Sequence, residues 1–227
     1  MNKTDFFITG TDTGIGKTLV SCALIHALRQ KGRSAIGMKP IAAGAENTPP
    51  GLRNEDALAL INASNTDIDY RLINPICYKP AIAPHIAAHI LKEKITTRPI
   101  LSAYHQLKQH ADTVIIEGAG GWFVPMNENS TLADLVIELE LPVILVVGIR
   151  LGCLNHALLS QCAIQQAGVK FSGWVANIID SQMPHIEENI SYLENHLAAP
   201  RLATIPHQET PDYQFSSQFI DLNKIIH

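Results

Sequence analysis

The sequence predicts an α/β fold, a mostly parallel central sheet with helices on both faces. Short β-branched runs alternate with longer stretches of helical period, the pattern of strands joined by covering helices. A glycine-rich segment follows the first run directly and precedes the first helical stretch. The 227 residues, 46% apolar and 17% charged, suit a single domain over 1–227 with a substantial core.

Taken in order, the apolar run "DFFIT" makes Asp5 to Thr9 the first strand. Lys17 to Lys31 is amphipathic and closed by Gly32, so it reads as the first helix. Ser34 to Met38 is the second strand. Ala42 to Arg53, "AAGAENTPPGLR", reads as loop from its Gly and Pro, and Thr66 to Pro84 as irregular. Between them lies a helix over Glu55 to Ala63, which Asn54 is able to cap. Helices over Ile86 to Glu93 and Ile100 to His110 lead to a strand at Thr113 to Glu117, and another helix covers Leu132 to Glu140. "LPVILVVGI", Leu141 to Ile149, has the Pro, Val and Ile of a buried strand, centred on Val143 to Val147, and is far too short for a bilayer. A helix over Leu154 to Ala167, a strand at Ser172 to Asn177, a helix over Ile186 to His196 and a short strand near Leu202 to Ile205 complete the alternation.

Bulk features exclude several classes. A net charge of −4 with no long basic run argues against a nucleic-acid surface. No apolar stretch suits a membrane, and the early first strand leaves no room for a signal peptide, so a cytoplasmic protein is expected. Cys22, Cys77, Cys153 and Cys162 show no C-x-x-C spacing and read as small buried thiols.

"GTDTGIGKT", Gly10 to Thr18, reads as a phosphate cradle. Glycines let backbone N–H groups turn toward an anion, and a lysine heading the next helix adds a mobile positive charge. Lys17 would reach the outer phosphates and the Thr18 hydroxyl would ligate Mg²⁺. Five residues separate Gly10 from Gly16, one more than the common spacing, but the order of strand, loop and helix is the required one. A dinucleotide fingerprint fails, because Leu19 stands where its third glycine belongs. The fold class is therefore P-loop NTPase-like.

In an open parallel sheet, residues at the carboxyl ends of the strands converge on one crevice. That rule selects Thr13, Lys17 and Thr18, then Lys39 in "GMKP", Glu117 in "IIEGAGGWFVP" and Asn177 in "GWVANII". Glu117 ends an apolar run, where P-loop proteins put an acidic Mg²⁺ ligand, and Gly118, Gly120 and Gly121 allow backbone to approach a ligand closely. Lys39 supplies a second cation near the phosphates. Asp56 has two readings, a functional acid and a first-turn residue that complements the helix dipole. His85 and His89, four apart, read as helix surface or core rather than as a metal pair. "RLGCLNH", Arg150 to His156, is either a plain loop or a helix start that binds a carboxylate. No nucleophile elbow is present.

Taken together, "GTDTGIGKT", "GMKPIAAG", "NEDALAL", "INP", "APHIAA", "VIIEGAGGWFVP", "LPVILVVGIRLGCLNHALLS" and "GWVAN" resemble the ATP-dependent dethiobiotin synthetases, in order from about Phe7 to Pro206. The resemblance implies a homodimeric, Mg²⁺-dependent enzyme that forms dethiobiotin from 7,8-diaminononanoate, CO₂ and ATP, with ATP as co-substrate. It implies catalytic roles for Lys39, Lys17 and Thr13, and metal ligation by Thr18, Asp56 and Glu117. Nucleotide contacts would come from Gly14, Ile15, Gly16, Lys17, Thr18 and Leu19, and from Gly118, Ala119 and Gly120 along the cleft. Asn177, Ile178, Pro206, His207 and Gln208 would lie around the adenine. Gly152, Cys153 and Asn155 would receive the substrate carboxylate from the neighbouring subunit. Three positions depart from the family pattern: Ala43 replaces a serine, Gly14 an acid of some members, and Asn189 a tyrosine. The rival expectation is an ATPase switch of the ParA or MinD type, although Thr11 and Asp12 stand where such proteins usually carry an extra lysine. A related ligase acting on another substrate shares the phosphate site.

Overall fold

Apolar residues in the central strands alternate sides so regularly that they build two cores at once. Phe6, Ile8, Ile144 and Val146 face one side of the sheet, and Phe7, Val143, Leu145 and Val147 face the other. Such runs are buried at every position, as a parallel strand covered on both faces requires. A computed structural model describes residues 4–225; residues 1–3 and 226–227 of the expected 1–227 domain lie outside the described residues.

The elements run β1 (Phe6–Gly10), α1 (Lys17–Gln30), β2 (Ala35–Met38), β3 (Ile41–Ala42), β4 (Glu46–Thr48), β5 (Gly51–Arg53), α2 (Glu55–Ser64), α3 (Tyr70–Ile73), β6 (Ile76–Cys77), α4 (Pro84–Ile90) and α5 (Arg98–His110). They continue as β7 (Thr113–Glu117), β8 (Pro125–Asn127), β9 (Ser130–Thr131), α6 (Leu132–Glu138), β10 (Val143–Ile149), α7 (Cys153–Gln166), β11 (Phe171–Ile178), α8 (Ile186–His196), β12 (Arg201–Ile205) and α9 (Tyr213–Ser217). The main sheet has six strands in the order β12-β11-β10-β1-β7-β2, and every pairing is parallel. All carboxyl ends therefore open on one edge.

Two packing details place the site. Met38 pairs with Ile116, so the residue after β2, Lys39, comes level with Glu117 at the end of β7. Gly37 in β2 lets α2 approach closely: a Cβ there would lie 2.7 Å from Leu60 Cβ. The Gly37 N–H also donates to Ser64 Oγ at 2.9 Å. Asn54 caps α2 by accepting from the Ala57 N–H at 3.2 Å, which fixes the helix start and hence Asp56.

The segment expected as loop, Ala42 to Arg53, instead holds an antiparallel hairpin of β4 and β5, in which Thr48 pairs with Gly51. Pro49 and Pro50 form the turn of that hairpin. The irregular stretch Thr66 to Pro84 contains α3 and the strand β6, which pairs with β3. Pro84 begins α4 two residues before the expected Ile86, since proline suits the first helical position. Cys22 and Cys153 are buried as expected and Cys77 is half-buried, but Cys162 is exposed; all four are free.

Asp5, just before β1, ties the sheet to α5. Its carboxylate accepts from Tyr104 Oη at 2.7 Å and from the Val114 N–H at 2.8 Å, and lies 3.0 Å from Lys108 Nζ. Burial, together with the bond to Asp5, pushes the Tyr104 hydroxyl above its ordinary pKa and keeps it a donor. Asp5→Ala leaves two buried donors unpaired, and is expected to cost about 2–4 kcal/mol of unfolding free energy in denaturant titration. A change below about 0.5 kcal/mol would show that the network does not matter to stability.

Candidate active site

The turn from β1 to α1 is held from three directions. Gly16 caps α1 with φ 90° and no side chain, the left-handed conformation that glycine adopts freely. Lys17 Nζ folds back to donate to the Asp12 carbonyl at 2.7 Å. The Asp12 carboxylate accepts from the Thr13 N–H at 2.7 Å and pairs with the guanidinium of Arg150, just beyond β10. Asn177 Nδ2 donates to the Ile15 carbonyl at 2.8 Å.

Beside this turn stands a cluster of opposite charges from three elements. Lys39 Nζ lies 2.6 Å from Glu117 Oε1 and 2.7 Å from Asp56 Oδ2. Thr18 Oγ1 lies 2.8 Å from Asp56 Oδ1 and 2.9 Å from Glu117 Oε1, so one hydroxyl proton serves two carboxylates. Glu117 has no solvent exposure and its Oε2 is buried without a partner. A carboxylate oxygen so placed is costly unless a cation or donor meets it. Two carboxylates and a hydroxyl form a partial set of hard oxygen donors suited to a divalent ion that takes its remaining ligands from water or phosphate. Among the described residues, no three His, Cys, Asp or Glu side chains gather as a metal site.

The two lysines differ electrostatically. Burial pulls Lys39 down, but Glu117 and Asp56 outweigh it and hold its pKa above the ordinary value. Burial also pushes Asp56 up, while Lys39 and the hydrogen bonds around it bring the carboxyl below its usual range. Lys17 lacks such a partner: burial, followed by the charge of Lys39, lowers it to about 8. Cys22, one turn along α1 from Thr18, is pushed up by burial and by Glu117 and Asp56, which keeps it an unreactive thiol.

These groups line one cavity of about 990 Å³. Of the residues picked out in the sequence, Thr13, Gly14, Gly16, Lys17, Thr18 and Leu19 line it from the phosphate loop. Lys39, Ala43, Asp56, Glu117, Ala119 and Gly120 line it from the other elements. Ile15 is buried beneath the loop and Asn177 is buried within β11, not beyond its end as the rule for strand ends suggested. Gly118, Ile178, Pro206, His207 and Gln208 are not on the cavity wall, and neither are Gly152, Cys153 and Asn155 at the start of α7. Asn189 sits on α8 and donates to the His185 carbonyl at 2.7 Å. His89 is exposed, and His85 keeps a buried Nδ1 without a partner.

Several wall residues are not among the site residues picked out in the sequence. Ala81, Ile82 and Ala83 enter from the segment before α4 and Pro84 from its first position, and Pro211 and Tyr213 from the C-terminal segment. The start of α9 was readable in retrospect, because Asp212 accepts from the Gln214 N–H at 2.8 Å as an N-cap side chain does. Tyr213 edges onto His26 of α1 with ring centroids 5.9 Å apart, which fixes that wall.

The AAA domain family (AAA_26) matches residues 4–213. A protein of Xanthomonas axonopodis pv. citri (strain 306) named "ATP-dependent dethiobiotin synthetase BioD" is 50% identical over 206 residues, 91% of this chain and 92% of that protein. Among solved structures, the MinC:MinD cell division protein complex of Aquifex aeolicus matches with TM-score 0.57 and 15% identity, over 91% of this chain and 82% of that one. A ParA family ATPase from Chlorobium tepidum TLS matches with TM-score 0.56 and 17% identity, over 95% and 89%. Those two likenesses are of fold alone.

The lowered pKa of Lys17 sets the sign of a pH effect. Below about 8 the lysine is charged in the free protein, and above it neutral. A polyphosphate bound against it favours the charged form, so affinity for ATP should fall as pH rises through that value, approaching about tenfold per pH unit. Calorimetric titrations from about pH 7 to about pH 9, in buffers of different ionisation enthalpy, should also show proton uptake on the alkaline side. Affinity that does not vary with pH would mean that Lys17 keeps its charge throughout.

Proposed function

The chain belongs to the ATP-dependent dethiobiotin synthetase family, and from that membership we propose that it uses ATP and CO₂ to close the ureido ring of dethiobiotin on 7,8-diaminononanoate. The observation that carries the reading is the Lys39 ammonium beside Glu117 and Asp56, in the same cavity as Lys17. One amine of the substrate adds to CO₂ and loses a proton, giving a carbamate. A carbamate oxygen attacks the γ-phosphorus and ADP leaves, giving a carbamic-phosphoric mixed anhydride. The second amine then attacks the carbonyl carbon in the same molecule, and phosphate leaves as the ring closes.

The chain's part is to bring anions together and to position the diamine. A carbamate approaching a triphosphate meets strong repulsion. Lys17 and Lys39 offset it, and their charges stabilise the oxygens of the phosphoryl group in transfer. The N–H groups of the loop from Gly14 to Thr18 cradle the phosphates. Thr13, Ala43, Ala119 and Gly120 also line this cavity, and in this reading Thr13 would contact the diamine, with Ala119 and Gly120 along the cleft it shares with the nucleotide. Holding the second amine near the carbonyl contributes roughly 7–11 kcal/mol through proximity, and no enzyme nucleophile is needed. Thr18, Asp56 and Glu117 would hold Mg²⁺, for which the unpartnered Glu117 Oε2 is a ready donor. When bound, Mg²⁺ adds positive charge at the phosphate oxygens.

The enzyme acts in the cytoplasm as a homodimer in this reading, as one domain over 1–227. Gly152, Cys153 and Asn155 at the start of α7 would take the substrate carboxylate of the neighbouring subunit. Leu151 beside them is 91% exposed, an apolar side chain suited to cover by a second copy. Asn177, Ile178 and Pro206 to Gln208 would lie around the adenine. Among the described residues, no helix is long and apolar enough to cross a membrane.

Incubation with MgATP, bicarbonate and 7,8-diaminononanoate should give dethiobiotin by mass spectrometry, with matching ADP. ATP hydrolysis without that product would favour the nucleotide switch instead. Lys39→Ala should lower kcat at least about tenfold, roughly 1.4 kcal/mol of transition-state stabilisation, while the circular dichroism spectrum is kept. An unchanged kcat would remove Lys39 from the mechanism.

A further inference from the structure

We propose that Asn177 is a positioning residue for the phosphate loop, one that sets the direction of a backbone N–H facing the ligand's phosphates. The inference rests on the reading of the cavity as a nucleotide site. Asn177 is 5% exposed, near the carboxyl end of β11 and 162 residues from Ile15, yet its Nδ2 donates to the Ile15 carbonyl at 2.8 Å. A carbonyl oxygen only accepts, so the carboxamide must present nitrogen there. In a trans peptide the C=O and N–H point in opposite directions. Drawing the Ile15 carbonyl toward β11 therefore turns the Gly16 N–H away from β11, to the side of the cavity that Gly16 lines.

The peptide between Ile15 and Gly16 has little freedom to turn otherwise. A Cβ at Gly16 would lie 2.2 Å from Asn177 Nδ2, so the loop rests directly on this side chain. Ile15 is 1% exposed, and a Cβ added at Gly10 or at Gly148 would come within 2.7 Å of it. Gly148 is also the register partner of Asn177 across β10 and β11. The Ile15 side chain is thus plugged between two glycines while its carbonyl is held by one donor. A donor at residue 177 keeps the loop in register, and an acceptor there repels it. One N–H and Oδ1 of the carboxamide remain for other partners, so contact with a nucleobase is compatible with this role.

The experiment separates the loop from the base by using a ligand that has no base. Affinities for MgATP and for inorganic tripolyphosphate with Mg²⁺ are measured by calorimetry on the full chain, on Asn177→Ala and on the near-isosteric Asn177→Asp, with thermal unfolding recorded for each. Both variants should lose affinity for tripolyphosphate and for ATP by similar factors, about tenfold or more, with Asn177→Asp the weaker binder. Loss of ATP affinity with tripolyphosphate binding intact would overturn the proposal and leave Asn177 to the base alone. Unchanged binding of both probes overturns it as well. Failure of both variants to fold would overturn it in favour of a purely structural role. A parent protein that binds neither probe would instead overturn the nucleotide-site reading, and this inference with it.

Discussion

Two carboxylates share the site because one ammonium group stands between them. Glu117 is fully buried and Asp56 lies against the same Lys39 nitrogen and the same Thr18 hydroxyl. Without that cation, Glu117 would be a buried carboxylate beside a second acid with no counter-charge, a costly arrangement at this edge of the sheet. Each contact depends on a separate part of the fold. Lys39 is level with Glu117 only in the register that pairs Met38 with Ile116, and Asp56 reaches both only because Gly37 lets α2 lie against β2.

The cavity holds two cations of different character. Lys39 is compensated and stays charged over the ordinary pH range, a fixed feature of the wall. Lys17 is under-compensated, desolvated and bonded only to a carbonyl, so its charge is favoured most when an anion arrives. One group makes the protein's own acids tolerable and the other awaits an acid from outside. Arg150 adds a third positive group at one remove, since its guanidinium holds Asp12 rather than facing the cavity.

Much of this was legible from residue pattern. The six strands of the main sheet were expected where they occur, because buried parallel strands read as apolar runs and their helices as the stretches between. Lys17, Thr18, Lys39 and Glu117 were legible because they end strands or open a helix, and the fold gathers such positions at one edge. Asp56 was ambiguous, since an acid in the first turn of a helix has a sufficient reason to be there; only its contacts with Lys39 and Thr18 distinguish a site residue from a dipole partner. The hairpin of β4 and β5 was missed because two three-residue strands joined by two prolines carry too short a period to read. Asn177 was legible as a position but not as a contact, because its bond to Ile15 spans most of the chain. At Pro84 and Asp212 the local pattern marks a helix start, but that the segments around them wall the cavity depends on tertiary packing.

The sheet order has a consequence for how the molecule is made. β1 emerges first from synthesis, yet it lies between β7 and β10, and its register partners Ile115 and Val143 come more than a hundred residues later. Until those strands exist, Phe6, Phe7 and Ile8 have no sheet to enter, and the phosphate loop has no floor. Non-local pairing of this kind is slow to form and leaves apolar strand edges open to other chains meanwhile. A nascent chain halted before β10 would therefore hold β1 with the edge that pairs to β10 still open.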